Sequence, residues 1–152
     1  MSESKPIDPE RFPTGQTEFL LTGDAGRLEC MADVPEDASP VPATAVLCHP
    51  HPQHGGTMRN KVVTIMDRAL RECGLATVRF NFRGAGDSEG SFDDGNGEYR
   101  DLLTVVDWVR RTRPDDDLWL GGFSFGAWMS LRAAQELPVR LLIRIAPPVS
   151  TN

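Results

Sequence analysis

The chain has 152 residues, 39% of them hydrophobic and 25% charged, which is the composition of one globular domain with a buried core. Its net charge of −6 argues against a nucleic-acid-binding or anionic-membrane-binding surface, because both ligands repel an acidic protein. Cys30, Cys48 and Cys73 lack metal-ligand spacing, so we expect reduced thiols in a cytoplasmic protein. No apolar run has the length of a membrane span, and residues 1–15 lack the apolar core of a secretion signal.

The predicted elements form one domain over residues 16–152, preceded by a flexible tail over residues 1–15. Six strands are predicted from short apolar or alternating runs: 17–22, 27–33, 43–48, 75–82, 117–121 and 139–145. Three helices are predicted at 60–73, 98–113 and 127–137. A leading hairpin followed by alternating strands and helices predicts an α/β fold, with a mostly parallel sheet flanked by helices on both faces.

The run Gly122-Phe123-Ser124-Phe125-Gly126 is a G-x-S-x-G sequence between a predicted strand and a predicted helix. In that setting the serine occupies a strained turn that exposes its hydroxyl. Glycines are needed two positions to either side, because the turn leaves no room for side chains. Ser124 is therefore the candidate nucleophile. No histidine follows it in the sequence, so the base that this motif normally implies is missing.

A second informative stretch, His-Pro-His-Pro-Gln-His-Gly-Gly at 49–56, directly follows the third predicted strand. Its two prolines have no N–H, so only His49 and His51 can donate a backbone hydrogen bond within 49–52. Ligands of open α/β sheets bind at loops of this kind, beyond the carboxyl ends of the strands. An oxyanion formed by attack of the serine needs two preset donors, and the N–H groups of Phe125 and His51 are the candidates.

These histidines also allow two other interpretations. Three histidines within six residues suggest a metal site, which we disfavour because no carboxylate or cysteine at ligand spacing accompanies them. Alternatively, His51 or His54 acts as the base for Ser124. A histidine whose loop supplies an oxyanion donor points toward the carbonyl oxygen, so this alternative is also disfavoured.

The glycine-rich stretch 81–90 follows the fourth predicted strand and suggests a dinucleotide site. Seven more loop residues separate it from the next helix, whereas a phosphate site needs the helix to begin at once. We interpret the stretch as a structural turn that brings Asp87 and Ser88 near the mouth of the site. Asp101 and Asp107, on the following helix, are predicted to be solvated.

Together these three stretches resemble the α/β-hydrolase fold, and more closely the small bacterial serine hydrolases whose third strand leads into a His-Pro-His-Pro loop ending in Gly-Gly. The resemblance covers about residues 16–148. It implies eight strands with the second antiparallel, of which about six are predicted here. It also implies Ser124 as nucleophile, with an oxyanion hole formed by the N–H groups of Phe125 and His51.

The activity that the resemblance implies is carboxylesterase-like. The family hydrolyses ester, thioester or related acyl bonds of small molecules through an acyl-enzyme, with no cofactor or metal. We therefore expect a small-molecule acyl substrate for this chain.

The sequence departs from the family pattern at its C-terminal end. The family's triad runs Ser, then Asp or Glu, then His, and the last two strands, the acid and the histidine have no counterpart here. The predicted strand 139–145 would have an open edge. We therefore expect a truncated domain with impaired activity, rather than an edge strand shielded by Arg140 and Arg144. The same edge offers a route to a homo-oligomer. The remaining alternative is a catalytically inactive binding or regulatory module that keeps the fold.

Overall fold

Six strands form one mixed sheet in the computed structural model, which describes residues 4–36 and 41–148. The strands are β1 (Gln16–Gly23), β2 (Gly26–Asp33), β3 (Ala43–Cys48), β4 (Ala76–Phe80), β5 (Asp117–Phe123) and β6 (Leu141–Ile145). Their order across the sheet is β1-β2-β4-β3-β5-β6. β2 is antiparallel to both of its neighbours, and the other three pairs are parallel.

Three helices cover the two faces of this sheet: α1 (Lys61–Glu72), α2 (Asn96–Thr112) and α3 (Phe125–Glu136). On one face, α1 packs Val63, Met66 and Leu70 against buried residues of β3. On the other face, buried residues of α2 and α3 pack against β1, β2 and β4. The predicted α/β-hydrolase fold, with a mostly parallel sheet flanked by helices, is confirmed.

The turn from β5 to α3 is tighter than the sequence predicts. β5 continues to Phe123, where it pairs with Ile145 of β6, and the N–H of Ser124 donates to the carbonyl of Ile145 at 2.9 Å. α3 then begins at Phe125, two residues before the predicted start. Pairing with β6 holds the strand extended up to the serine, so Ser124 alone connects the two elements.

The two outer strands of the sheet differ in how their edges are covered. Ile7 forms a parallel bridge to Leu20 of β1, so a segment of the chain lies along that edge. β6 pairs only with β5 among the described residues, and its Leu141 and Ile145 side chains are 43% and 36% exposed. The predicted open edge at the last strand is therefore present within the described part of the chain. β6 begins at Leu141 rather than at residue 139.

Part of the predicted tail contacts the domain. The Asp8 carboxylate accepts hydrogen bonds from the N–H and hydroxyl of Thr22, at 2.8 and 2.6 Å. The indole N–H of Trp108 donates to the carbonyl of Pro9, and the Phe12 ring stacks on that indole at 5.2 Å. Residues 1–3 and 149–152 lie outside the described residues. The flexibility of the tail and the boundary at residue 16 stay predictions.

None of the helices in the described ranges is long and apolar enough to cross a membrane. Cys30 and Cys48 are buried free thiols, and Cys73 is an exposed one. Burial raises the pKa of the Cys48 thiol to about 12, so this side chain packs as a small neutral group.

Candidate active site

Ser124 lies at the junction of β5 and α3 in a strained backbone conformation. Its φ of 57° and ψ of −116° fall in a region that favours glycine. Its side chain makes no capping hydrogen bond to α3, although serine is a common helix cap. The backbone strain thus keeps the hydroxyl away from the helix N-terminus and available for another role.

The two glycines of the G-x-S-x-G sequence sit where side chains would collide. A Cβ atom on Gly122 would overlap the carbonyl of Gly126, and a Cβ atom on Gly126 would overlap the carbonyl of Cys48. The sequence prediction that this turn leaves no room for side chains is therefore confirmed. The collision at Cys48 also shows that α3 begins directly against the end of β3.

The loop after β3 brings His51 to the first residue of α3. The His51 ring lies 5.1 Å from the Phe125 ring and is followed by a short 3-10 turn, Pro52–His54. The N–H of Phe125 has no acceptor within its helix, because it belongs to the first turn. The N–H of His51 likewise has no acceptor among the described residues. The structure thus places the His51 ring against Phe125, the residue that follows Ser124, and the role of the two N–H groups as oxyanion donors stays a prediction.

None of the three histidine rings bonds to the serine within the described part of the chain. The Nδ1 atom of His51 accepts a hydrogen bond from the N–H of Gln53 at 3.1 Å, and its ring stacks on His54 at 4.3 Å. Burial, followed by the nearby His54, lowers the pKa of His51. In the described residues, no group of three or more His, Cys, Asp or Glu side chains is arranged to hold a metal ion.

His49 has a structural role that sequence reasoning missed. Its ring is fully buried, with Nδ1 at 2.6 Å from the carbonyl of Pro50, while Nε2 accepts the N–H of Phe82 at 3.0 Å. Burial lowers the pKa of His49 to about 4, although the bond to Pro50 opposes this shift. Both ring nitrogens are therefore used, which leaves His49 neutral and unable to act as a base. Its position directly after a mostly apolar, buried strand was the available signal.

The loop over residues 81–90 is anchored to β2 by buried hydrogen bonds. The Ser88 hydroxyl is buried, donates to the carbonyl of Asn81 at 2.6 Å and accepts from the N–H of Glu29 at 2.8 Å. The N–H of Asp87 donates to the Glu29 carboxylate at 2.9 Å. Ser88 is therefore occupied in holding the loop, and the expected position of Asp87 and Ser88 near the mouth of the site stays a prediction.

The expectation that Asp101 is solvated is wrong. It is only 1% exposed and forms a bidentate ion pair with the buried Arg83 guanidinium, with its closest contact at 2.8 Å. Arg83 also contacts Asp24. Burial raises the pKa of Asp101, and the hydrogen bonds from Arg83 oppose that shift. Asp107, further along α2, is exposed as predicted.

Half-buried aromatic side chains flank the serine. Phe92 lies 4.7 Å from the His51 ring, and Trp128 packs edge-on against Phe125 at 5.7 Å. The N–H of Trp128 donates to the carbonyl of Ser124 at 3.3 Å, which places this residue one helical turn beyond the serine. The site therefore combines a half-buried serine, two N–H groups without an acceptor among the described residues and an apolar aromatic flank.

Comparisons with known proteins agree with this geometry. A family model described as X-Pro dipeptidyl-peptidase (S15 family) matches residues 24–151. A solved α/β serine hydrolase without a lid, from Xanthomonas campestris, is 53% identical and superposes with a TM-score of 0.90. The match covers 93% of this chain and 66% of the Xanthomonas chain. An α/β serine hydrolase homologue from Coxiella burnetii is 50% identical with a TM-score of 0.86, covering 89% and 64%.

An uncharacterized protein of Rickettsia prowazekii is 37% identical over 137 residues, which is 88% of this chain and 56% of that protein. The chain thus spans between about half and two thirds of the length of these relatives. The fold, the strained serine turn and the match over residues 24–151 lead to one conclusion. The chain belongs to the α/β-hydrolase-fold serine hydrolases, in the family whose model describes the S15 X-Pro dipeptidyl-peptidases.

Proposed function

We propose that Ser124 is the nucleophile of a carboxylesterase-like hydrolase that cleaves ester, thioester or related acyl bonds of small molecules. The Oγ atom bonds to the acyl carbon, the bond to the leaving group breaks, and the serine proton passes to the leaving group. Water then adds to the acyl carbon, the bond to Oγ breaks, and the serine regains a proton. This sequence of steps requires no cofactor.

The observation that carries this proposal is the strained turn at Ser124. Such strain persists only where the surrounding structure enforces it, and it frequently marks a functional position. The N–H groups of Phe125 and His51 support the same reaction as donors to the oxyanion, because neither has a protein acceptor in the described residues. The neighbouring aromatic rings suit an apolar acyl group.

The similar proteins are named for different activities, but these activities share one type of chemistry. The family model names a peptidase, whereas the solved relatives from Xanthomonas and Coxiella are described as serine hydrolases. Peptide, ester and thioester cleavage all proceed through a tetrahedral oxyanion at an acyl carbon. We therefore propose the acyl-bond class as a whole rather than one substrate.

We also propose that this chain, by itself, turns over substrate very slowly. His49 uses both ring nitrogens elsewhere, the Nδ1 atom of His51 accepts a hydrogen bond from Gln53, and no histidine ring bonds to Ser124 among the described residues. A serine without a base is a weak nucleophile. Without a complete triad, binding and the oxyanion hole leave a residual acceleration of about 10³–10⁴-fold over water.

Hydrolysis of p-nitrophenyl acetate by the purified chain and by Ser124→Ala tests both parts of the proposal. We expect a slow rate above the spontaneous reaction, with an acetyl adduct on Ser124 that intact mass detects in the wild-type chain and not in Ser124→Ala. Fast turnover that depends on Ser124 would contradict the proposed impairment. The absence of an acetyl adduct on Ser124 in the wild-type chain would contradict the nucleophile assignment.

An alternative function is a binding module that keeps the fold without turnover, which the lack of a histidine bond to Ser124 favours. Saturable binding of an ester by this chain, with no release of product and no change in Ser124→Ala, would support that alternative. Formation of an acyl adduct on Ser124 would exclude it.

The open edge of β6 supports a further proposal, that two copies of the chain associate there. Leu141 and Ile145 are 43% and 36% exposed, and an unpaired edge with apolar side chains favours pairing with another strand. Sedimentation velocity over a range of concentrations tests this, with Leu141→Lys on β6 as the variant. We expect the wild-type chain to associate more strongly than the variant, and a monomer at all concentrations would contradict the proposal.

A further inference from the structure

Both ends of the loop that carries His51 are attached to the C-terminal end of β4. This loop, defined as residues 49–58, connects β3 toward α1. β4 is the neighbour of β3 in the sheet but lies on the side away from Ser124. The position of the His51 N–H relative to the serine therefore depends on contacts made outside the site.

At the first end, the His49 ring connects the loop to the residues after β4. Its Nε2 atom accepts the N–H of Phe82 at 3.0 Å, and its Nδ1 atom lies 2.6 Å from the carbonyl of Pro50. Because a neutral imidazole has one donor nitrogen and one acceptor nitrogen, Nδ1 carries the proton. This ring thus fixes the peptide immediately before His51.

At the second end, two side chains of the β4 segment hold the backbone of Met58. The Asn81 Oδ1 atom accepts the N–H of Met58 at 2.8 Å, and the Arg79 guanidinium donates to the Met58 carbonyl at 2.8 Å. All three residues are buried. Both backbone polar groups of Met58 are therefore satisfied by side chains from β4 and its exit.

Asn81 is itself oriented from β2. Its Nδ2 atom donates to the Glu29 carboxylate at 2.6 Å, which leaves Oδ1 facing Met58. A hydrogen bond to a charged acceptor is stronger than one between neutral groups. The Glu29 contact therefore determines that the oxygen of the Asn81 amide, and not its nitrogen, faces Met58.

Between these ends the loop is folded tightly. The carbonyl of His51 accepts the N–H groups of His54 and Gly56, both at 3.0 Å. A Cβ atom on Gly56 would overlap the carbonyl of Pro50, so the loop turns back on itself there. A shift at Met58 would consequently be transmitted to the His51 peptide.

We propose that Asn81 is a positioning residue that fixes the His51 N–H where an oxyanion on Ser124 would form. This inference rests on the proposed function, because it assumes that the His51 N–H is an oxyanion donor. Asn81 acts through Met58 and does not contact the substrate. Its loss displaces one donor and leaves the donor at Phe125 in place.

Asn81→Leu and Asn81→Ser test the proposal. The leucine keeps most of the volume and removes both amide hydrogen bonds, while the serine is too short to reach Met58. Ser88→Ala is the matched control. It removes two buried hydrogen bonds at the same junction of β2 and β4, and Ser88 makes no hydrogen bond to residues 49–58. Urea unfolding identifies the folded variants.

The first readout is the rate at which a fluorophosphonate modifies Ser124, followed by intact mass. The phosphonyl oxygen takes the place of an oxyanion, so losing one donor is expected to slow the reaction by about 10²–10³-fold. The second readout is the amide proton shift of His51 in protein labelled with ¹⁵N-histidine, which contains three histidines. We expect a downfield shift on phosphonylation in the wild type and in Ser88→Ala, and none in the Asn81 variants.

The outcomes separate the positioning role from the function on which it rests. If the wild-type His51 amide does not respond to phosphonylation, the oxyanion assignment of the proposed function is wrong. If it responds equally in wild type and in folded Asn81 variants, with equal labelling rates, the oxyanion assignment stands and the positioning role is overturned. Failure of both Asn81 variants to fold, while Ser88→Ala folds, would assign Asn81 to the fold and also overturn the proposal.

Discussion

The carbonyl oxygen of Cys48 occupies the space that a Cβ atom on Gly126 would need. Cys48 ends β3 and Gly126 lies in the first turn of α3, so this contact joins the strand that leads to the His51 loop with the helix that follows Ser124. Glycine at this position lets the two backbones approach closely. The separation of the two candidate oxyanion donors is thereby set by backbone contact.

Gly126→Ala is therefore expected to destabilise the protein. Alanine is favoured over glycine within a helix by about 1 kcal/mol, but the overlap with Cys48 forces the backbone to move, for which we expect a net loss of about 1–3 kcal/mol in the free energy of unfolding. Urea unfolding measures this. Gln135→Ala, at an exposed position of the same helix, is the control and should stay within about 0.5 kcal/mol of the wild type. If Gly126→Ala had the same free energy of unfolding as the wild type, the contact between residue 126 and the Cys48 carbonyl would not be tight.

The strain at Ser124 predicts that a substitution which relieves it stabilises the protein while removing the candidate nucleophile. Glycine adopts the observed φ of 57° without penalty, whereas alanine keeps the strain. We expect Ser124→Gly to unfold with a free energy about 1 kcal/mol larger than Ser124→Ala, after allowing for the greater freedom of glycine in the unfolded chain. Neither variant should react with a fluorophosphonate at this position. Equal stabilities in urea would mean that the turn carries no strain.

His49 predicts a loss of stability in mild acid. Burial lowers the pKa of its ring from an ordinary value near 6.5 to about 4, so the unfolded chain binds a proton that the folded chain excludes. The free energy of unfolding therefore has its full value above the unfolded pKa of this ring, and it decreases as the pH falls from 6.5 toward 4. The shift corresponds to about 3 kcal/mol.

The measurement for this prediction is the free energy of unfolding in urea between pH 7.5 and 4. His49→Gln removes the titrating group, and we expect a smaller dependence on pH across this range. His54→Gln is the control, because His54 is exposed and should leave the dependence as in the wild type. Parallel pH profiles for wild type and His49→Gln would show that another group accounts for the acid sensitivity.

Much of the fold follows from local pattern. The apolar run at β3, the stripe of Leu102, Val105, Val106 and Val109 on α2, and the turn sequence around Ser124 predict the elements that the structure contains. These signals depend on residues close together in the chain. Gly122 was predictable for the same reason, since the collision with Gly126 that it avoids is local, whereas the collision that Gly126 avoids is with Cys48 of β3.

The parts that the sequence did not predict depend on tertiary partners. Asp101 on a helix suggests a solvated side chain, and only the fold places the Arg83 guanidinium beside it in the interior. His49 suggests a loop residue until β4 is known to adjoin β3, which supplies the N–H of Phe82. The late end of β5 has the same origin, because pairing with β6 keeps Phe123 extended.

Reaction of the purified chain with a fluorophosphonate, followed by intact mass and peptide mapping, tests the central claim most directly. We expect one phosphonyl group per chain on Ser124, added slowly because no histidine in the described residues bonds to the serine, and no adduct in Ser124→Ala. The rate should rise with pH as more of the hydroxyl ionises. An adduct on another residue, or labelling that persists in Ser124→Ala, would contradict the assignment of Ser124 as the nucleophile.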